Sequence, residues 1–178
     1  VVAQRSFKSD DEIAQIEVAL DMSYEMHTTA MKMSKPGVCE REIAATMEQI
    51  VLARGGRLSF PTIFSVHGET LHNHSHGNVM SDDDIAVNDS GAETPLGYAS
   101  DITRTIPVSG KFSQRQREIY AIVLESQTKA IEASKPGIEF RDVHRLASEV
   151  LVSGLKDLGL VKGDVSQTVE AGVHTLFF

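Results

Sequence analysis

Two aspartates, Asp89 and Asp101, are spaced so that they could bind a cation together. They fall at the facing ends of two consecutive predicted strands that a short connection joins. This layout can bring the two carboxylates close together, where their charges repel unless a cation neutralises them. Divalent cations accept oxygen ligands of this kind. Carboxylates at strand ends are also common as solvated surface groups, so the spacing alone leaves both interpretations open.

A group of histidines precedes the first aspartate, within a stretch rich in Gly and Asn. Its members are His67, His72, His74 and His76. A flexible His-rich loop with adventitious metal affinity would have the same composition. His72 differs from its neighbours because it lies just ahead of the strand that leads to Asp89. A neutral imidazole placed there could donate a hydrogen bond to a substrate carbonyl or transfer a proton.

The other residues that could do chemistry are predicted to be structural. His27 and His144 belong to amphipathic helices, where a lone His is usually a satisfied surface or boundary residue, and His174 is read in the same way. Cys39 precedes a helix, which favours a thiolate, but no base lies near it in the sequence. A single cysteine cannot form an internal disulfide, so a reducing compartment is expected.

An internal repeat organises the elements that position these residues. Residues 30–37, AMKMSKPG, match residues 130–137, AIEASKPG, at an offset of one hundred positions. The repeat is too long for a solenoid and indicates a duplicated half-domain. In each copy a capping-box pattern, at Ser9 or Ser113, starts a helix that ends before Pro-Gly. A second amphipathic helix then follows.

Only the first copy continues into predicted strands, within residues 60–67, 85–89 and 98–108. Few residues follow the second helix pair, and residues 176–178 are predicted to begin a buried strand. The sequence therefore predicts an α+β fold of two half-domains, each a helix pair with an antiparallel sheet. The first half covers residues 1–112, and the second half, 113–178, is incomplete, as expected of part of a longer protein.

Composition excludes several classes of protein. The chain has 178 residues, 41% hydrophobic and 24% charged, with a formal net charge of −8, which is typical of one globular domain or slightly more. No apolar run approaches the roughly 18 residues that span a bilayer, and no secretory signal is evident. The acidity disfavours a nucleic-acid surface. We therefore expect a cytoplasmic protein with no membrane or nucleic-acid partner.

The stretch DSGAETPLGYASDITRTIPVSGKFSQRQREIYAIVLESQ, residues 89–127, resembles aminopeptidase P and the prolidases. These metallopeptidases share the duplicated pita-bread (creatinase/aminopeptidase) fold. The resemblance extends over nearly the whole chain. It implies that the chain is a metallopeptidase catalytic domain truncated at its C-terminal end.

The resemblance also implies roles for individual residues. Family members hold two divalent ions, commonly Mn²⁺ with Co²⁺ or Zn²⁺ as alternatives, through two Asp, one His and two Glu. Asp89 would bind one ion and Asp101 would bridge both, while His72 would contact the substrate and Thr103 would orient Asp101. One extra residue between the two Asp falls in the loop at 94–97, where a loop can absorb it. The His and both Glu cannot be assigned in this sequence, so we expect negligible activity from these residues alone.

The activity that the resemblance implies is removal of an N-terminal residue that precedes proline. Water activated by the two ions would attack the peptide bond, a Glu would act as the base, and the full-length enzyme would be a homo-oligomer. A prolidase acting on Xaa-Pro dipeptides is one alternative. A non-catalytic homologue that binds peptides or protein partners is another, although a binding module has no chemical need for both Asp. A free-standing His-loop metal-binding protein would require the repeat to be coincidental.

Overall fold

The computed structural model describes residues 1–176. The chain divides into two compact units, Val1–Lys111 and the residues from Phe112 onward, and each is described by itself. In the part of the chain that the structure describes, no helix combines the length and the apolar character needed to cross a membrane.

Two long helices dominate the first unit. Its helices are α1 (Val2–Ser6), α2 (Asp10–Met33) and α3 (Glu40–Ala53). The predicted start of α2 is confirmed, because the Ser9 hydroxyl accepts from the Glu12 backbone N–H while the Glu12 carboxylate accepts from the Ser9 N–H. The helix ends before Pro36, and Gly37, at φ 87°, turns the chain toward α3.

Five short strands form two antiparallel sheets in the first unit. They are β1 (Arg57–Leu58), β2 (Ile63–Ser65), β3 (Ile85–Ser90), β4 (Ala92–Glu93) and β5 (Ile102–Pro107). One sheet has the order β2-β3-β5, and the other pairs β1 with β4. Ile63, Asp89 and Thr103 are in register across the three-stranded sheet, so their side chains share one face. The opposite face of β3 buries Ala86, Asn88 and Ser90.

The strand predicted over residues 98–108 is shorter in the structure and begins at Ile102. The residues before it fold back onto β4 instead of extending the sheet. Ala99 bridges to Glu93, and the Ser100 N–H donates to the Ala92 carbonyl at 2.9 Å. Asp101 therefore lies at the junction between these two pairings, directly beside the end of β3.

The core of the first unit lies between the helix pair and the buried face of the sheet. Methionines contribute much of it, since their flexible side chains fill irregular gaps. Full burial of a side chain of this size stabilises the fold by about 1.5–3 kcal/mol. Its largest buried members are Met26, Ile43, Met47, Phe64 and Met80.

The second unit repeats the helix pair. Its helices are α4 (Gln114–Ala133), α5 (Phe140–Asp157), α6 (Val165–Glu170) and a 3₁₀ helix (Val173–Leu176). The capping box at Ser113 is present, and Gly137, at φ 88°, repeats the turn made by Gly37. The predicted strand start is wrong for Leu176, which is exposed in the 3₁₀ helix. Phe177 and Phe178 lie outside the described residues.

Candidate metal centre

Three of the four predicted site residues, His72, Asp89 and Asp101, line one pocket, and Thr103 is not among its lining residues. The pocket encloses about 360 Å³, which is the size of a small-ligand site. It combines an apolar wall with carboxylate and imidazole groups. Its lining residues are Phe60, Pro61, Ile63, His72, His74, Asp89 and Asp101.

The two aspartates come together as the strand pairing requires. Both side chains line the same pocket. Loss of hydration and the proximity of the Asp89 carboxyl group together raise the pKa of Asp101. The Oδ1 atom of Asp89 is buried and has no hydrogen-bond partner among the described residues. A buried acceptor without a partner is costly, and a cation between the carboxylates would relieve both this cost and the charge repulsion. The pair therefore fits a divalent cation.

The Asp89 and Asp101 carboxylates are the metal-binding groups that the pocket offers. Across residues 1–176, no three His, Cys, Asp or Glu side chains converge closely enough to hold a metal ion. The two carboxylates that line the pocket offer hard oxygen donors, which suit Mn²⁺ and similar cations better than soft thiolate-preferring ions. A cation bound here would need water or other groups to complete its coordination.

The predicted histidine group divides in two. His72 and His74 line the pocket, whereas His67 pairs with Glu69 at 3.0 Å and His76 Nε2 contacts the Thr62 carbonyl at 3.0 Å. The sequence singled out His72 and missed His74. No signal in the sequence separates His74 from His76, since both continue the same two-residue spacing after His72.

His72 has a strained backbone. Its φ is 53°, in the left-handed region that is uncommon for residues other than glycine. Such a conformation costs about 1–3 kcal/mol and persists only where the surrounding structure fixes it. The loop that carries His72, residues 66–78, is called the histidine loop below.

Thr103 is the direct cross-strand neighbour of Asp89. Its carbonyl accepts from the Arg104 guanidinium at 2.8 Å. The orienting role of Thr103 toward Asp101 stays a prediction.

His27 lies in the core behind Asp89, so its prediction as a surface or boundary residue is wrong. It is 5% exposed. The Asn88 amide nitrogen lies 3.1 Å from His27 Nδ1, and the Ser90 carbonyl and hydroxyl oxygens lie 3.4 and 3.3 Å from Nε2. A neutral imidazole satisfies this arrangement, with Nδ1 accepting from Asn88 and Nε2–H donating to Ser90. The network holds the two residues that flank Asp89 in β3.

This network predicts that the first unit is sensitive to acid. Burial lowers the pKa of His27 below its usual 6.5, so the unfolded chain takes up a proton at a higher pH than the folded chain does. The free energy of unfolding is therefore undiminished above about pH 6.5 and falls as the pH drops from there through the folded-state pKa. Urea unfolding can be monitored through the NMR signals of β3 at several pH values. The free energy of unfolding should fall less steeply with decreasing pH in His27→Gln than in the wild type. An equal loss in both proteins would contradict the prediction.

Comparison with known proteins identifies the class. The profile of metallopeptidase family M24 matches residues 14–173, and the chain therefore belongs to this family. It is 39% identical over 177 residues to the Xaa-Pro aminopeptidase of Escherichia coli strain K12, covering 98% of this chain and 40% of that protein. It is also 38% identical over 183 residues to a probable Xaa-Pro aminopeptidase of Uncinocarpus reesii, of which it covers 38%. The chain thus spans about two fifths of the length of these relatives.

Solved structures give the same result. Aminopeptidase P from E. coli with the inhibitor Pro-Leu superimposes with a TM-score of 0.92 at 39% identity, covering 97% of this chain and 40% of that one. The Zn-substituted E. coli enzyme in complex with product also gives 0.92, at 38% identity. The predicted resemblance to aminopeptidase P and the predicted α+β pita-bread fold are confirmed.

Proposed function

We propose that this chain forms part of the catalytic domain of a metal-dependent Xaa-Pro aminopeptidase, with residues 1–112 as its first half and residue 113 onward as the start of its second. The observation that carries the proposal is that Asp89, Asp101 and His72 line one pocket. The relatives' names, Xaa-Pro aminopeptidase, support the reaction.

In this proposal the two aspartates are metal ligands. Asp89 would hold one of two divalent ions and Asp101 would be a ligand shared by both, with Thr103 orienting Asp101. Mn²⁺ is the proposed metal, with Co²⁺ or Zn²⁺ as alternatives, and the E. coli relative has been studied in a Zn-substituted form. When bound, the ions activate water and stabilise the negative charge that develops on the scissile carbonyl. His72 donates a hydrogen bond to the substrate carbonyl from the pocket edge.

The substrates are peptides with proline in the second position. The apolar wall of Phe60, Pro61 and Ile63 suits a pyrrolidine ring, and an Xaa-Pro amide has no N–H that would need an acceptor. The E. coli enzyme has been solved with the inhibitor Pro-Leu. We further propose a homo-oligomeric, cytoplasmic enzyme.

The proposal is tested on the longest natural polypeptide that contains this sequence. With added Mn²⁺ it is expected to release Xaa from Xaa-Pro-Yaa tripeptides and to leave Xaa-Ala-Yaa intact. Cleavage restricted to Xaa-Pro dipeptides would identify a prolidase instead. Peptide binding with no turnover in the presence of Mn²⁺, of Co²⁺ and of Zn²⁺, each tested separately, would support a non-catalytic homologue and contradict the proposal. The 178-residue polypeptide alone is expected to bind Mn²⁺ weakly and to show negligible turnover.

Replacing His72 with Ala is expected to lower kcat/KM for Xaa-Pro peptides about a hundredfold, the usual size of a lost general acid or hydrogen-bond donor. Mn²⁺ affinity, measured by calorimetry, should change little because His72 is not a proposed ligand. His67→Ala is the matched control, since His67 belongs to the same loop but pairs with Glu69. Equal effects of the two substitutions would contradict the role of His72.

A further inference from the structure

Glu40 is a fully buried carboxylate that the proposed chemistry does not use. It is the first residue of α3 and has no exposed surface. A buried charge is very costly unless hydrogen bonds satisfy it. The N-terminus of α3 offers some compensation through its dipole, and the rest must come from the groups that contact the carboxylate.

Those groups come from both ends of the histidine loop. Oε1 accepts from the Val66 backbone N–H at 2.8 Å, and Oε2 accepts from the Asn78 backbone N–H at 3.0 Å. The Asn78 side-chain amide lies 3.1 Å from Oε1 and 3.0 Å from Oε2. One carboxylate therefore joins the entry and the exit of the loop.

Backbone contacts attach the exit of the loop to the same helix start. The Asn78 carbonyl accepts from the Glu40 N–H at 3.0 Å, and the His76 carbonyl accepts from the Arg41 N–H at 3.1 Å. The segment between the two ends carries His72, at its unfavourable φ of 53°, and His74. A strained residue between two fixed ends needs those ends to stay in place.

We propose that Glu40 is a positioning residue of the pocket, holding the histidine loop closed so that His72 and His74 face Asp89 and Asp101. The inference rests on the proposed function insofar as it assigns His72 to substrate binding. Glu40 itself does not line the pocket and acts only through the loop.

Glu40→Gln is the variant that tests this. The Gln side chain keeps one acceptor oxygen for Val66 but turns an N–H₂ group toward the Asn78 N–H, so this backbone N–H loses its acceptor. Amide exchange of Asn78 in the 178-residue polypeptide should accelerate about tenfold to a hundredfold, and the ring NMR signals of His72 and His74 should shift. Glu42→Gln is the matched control, because Glu42 lies two residues further along α3 and accepts from the Cys39 N–H in the capping box. Ring signals unchanged in folded Glu40→Gln would overturn the proposal.

Asn78→Ala provides a second variant should Glu40→Gln fail to fold. It removes only the side-chain amide that contacts both carboxylate oxygens and keeps the backbone donors. The same ring signals should shift by a smaller amount, and unchanged signals would again reject the proposal.

A double-mutant cycle in the longest natural polypeptide separates positioning from general stability. Glu40→Gln is expected to lower kcat/KM for an Xaa-Pro peptide about tenfold in the wild type, since displaced substrate contacts are costly. In the His72→Ala background, Glu40→Gln should lower kcat/KM less than about twofold, because the effects of substitutions at residues that act through one another are not additive. Equal losses in both backgrounds would overturn the proposal. Failure of the wild type to hydrolyse Xaa-Pro peptides would reject the proposed function and leave the ring-signal test of Glu40 valid.

Discussion

Replacing Asp101 with Asn is expected to lower kcat/KM for Xaa-Pro peptides by at least about a thousandfold, which corresponds to the several kcal/mol that metal-ion stabilisation contributes. The substitution keeps the shape of the side chain but removes one of the two charges that converge at the pocket. Mn²⁺ binding, measured by calorimetry or by electron paramagnetic resonance, should weaken in parallel. The free energy of unfolding without metal should not fall, because the charge repulsion with Asp89 is relieved.

Asp82→Asn is the matched control for this loss. It makes the same change of charge and shape on an exposed acidic residue in the turn before β3. We expect wild-type metal affinity and activity from it. Wild-type Mn²⁺ affinity in Asp101→Asn would show that the paired aspartates do not form the metal site.

Replacing Gly91 with Ala is expected to destabilise the first unit by about 3 kcal/mol, the upper end of what overpacking usually costs. A Cβ atom at this position would lie 1.9 Å from the Ser100 carbonyl oxygen and 2.3 Å from the Ser59 hydroxyl. These two atoms are hydrogen-bonded to each other at 2.7 Å, and one of them is backbone, so neither can move aside cheaply. Urea unfolding of the two proteins measures the difference.

The same substitution should also weaken metal binding. Ser100 precedes Asp101, and Gly91 follows β3 two residues after Asp89, so moving the two backbones apart separates the carboxylates. Gly77→Ala is the control, because its Cβ would meet only the Ser75 hydroxyl at 3.9 Å. We expect little change in stability from it. A Gly91→Ala protein as stable as Gly77→Ala would contradict the close packing described here.

Local signals in the sequence predicted the helices well. Ser9 and Ser113 start α2 and α4 through side-chain contacts three residues away, and Pro-Gly ends both helices at equivalent positions. These effects act within one turn, so a single sequence contains them. The placement of Asp89 and Asp101 in one pocket was also predictable, since antiparallel pairing of neighbouring strands fixes where their ends meet.

Features that depend on distant parts of the chain were not predictable in this way. Nothing in the sequence around Glu40 distinguishes a buried anchor from an ordinary acidic residue in the first turn of a helix, because its partners lie 26 and 38 residues away. His27 was misassigned for the same reason, as its partners are on β3. The start of β5 was placed too early because residues 98–100 pair with β4, which no local pattern specifies.

The position of the pocket along the chain has a consequence for biosynthesis. Every residue that lines it, together with the Glu40 and His27 contacts behind it, belongs to the unit Val1–Lys111. Nascent chains grow at about 5–20 residues per second, and N-terminal units generally fold first. The pocket can thus be assembled before the second unit, from Phe112 onward, has folded.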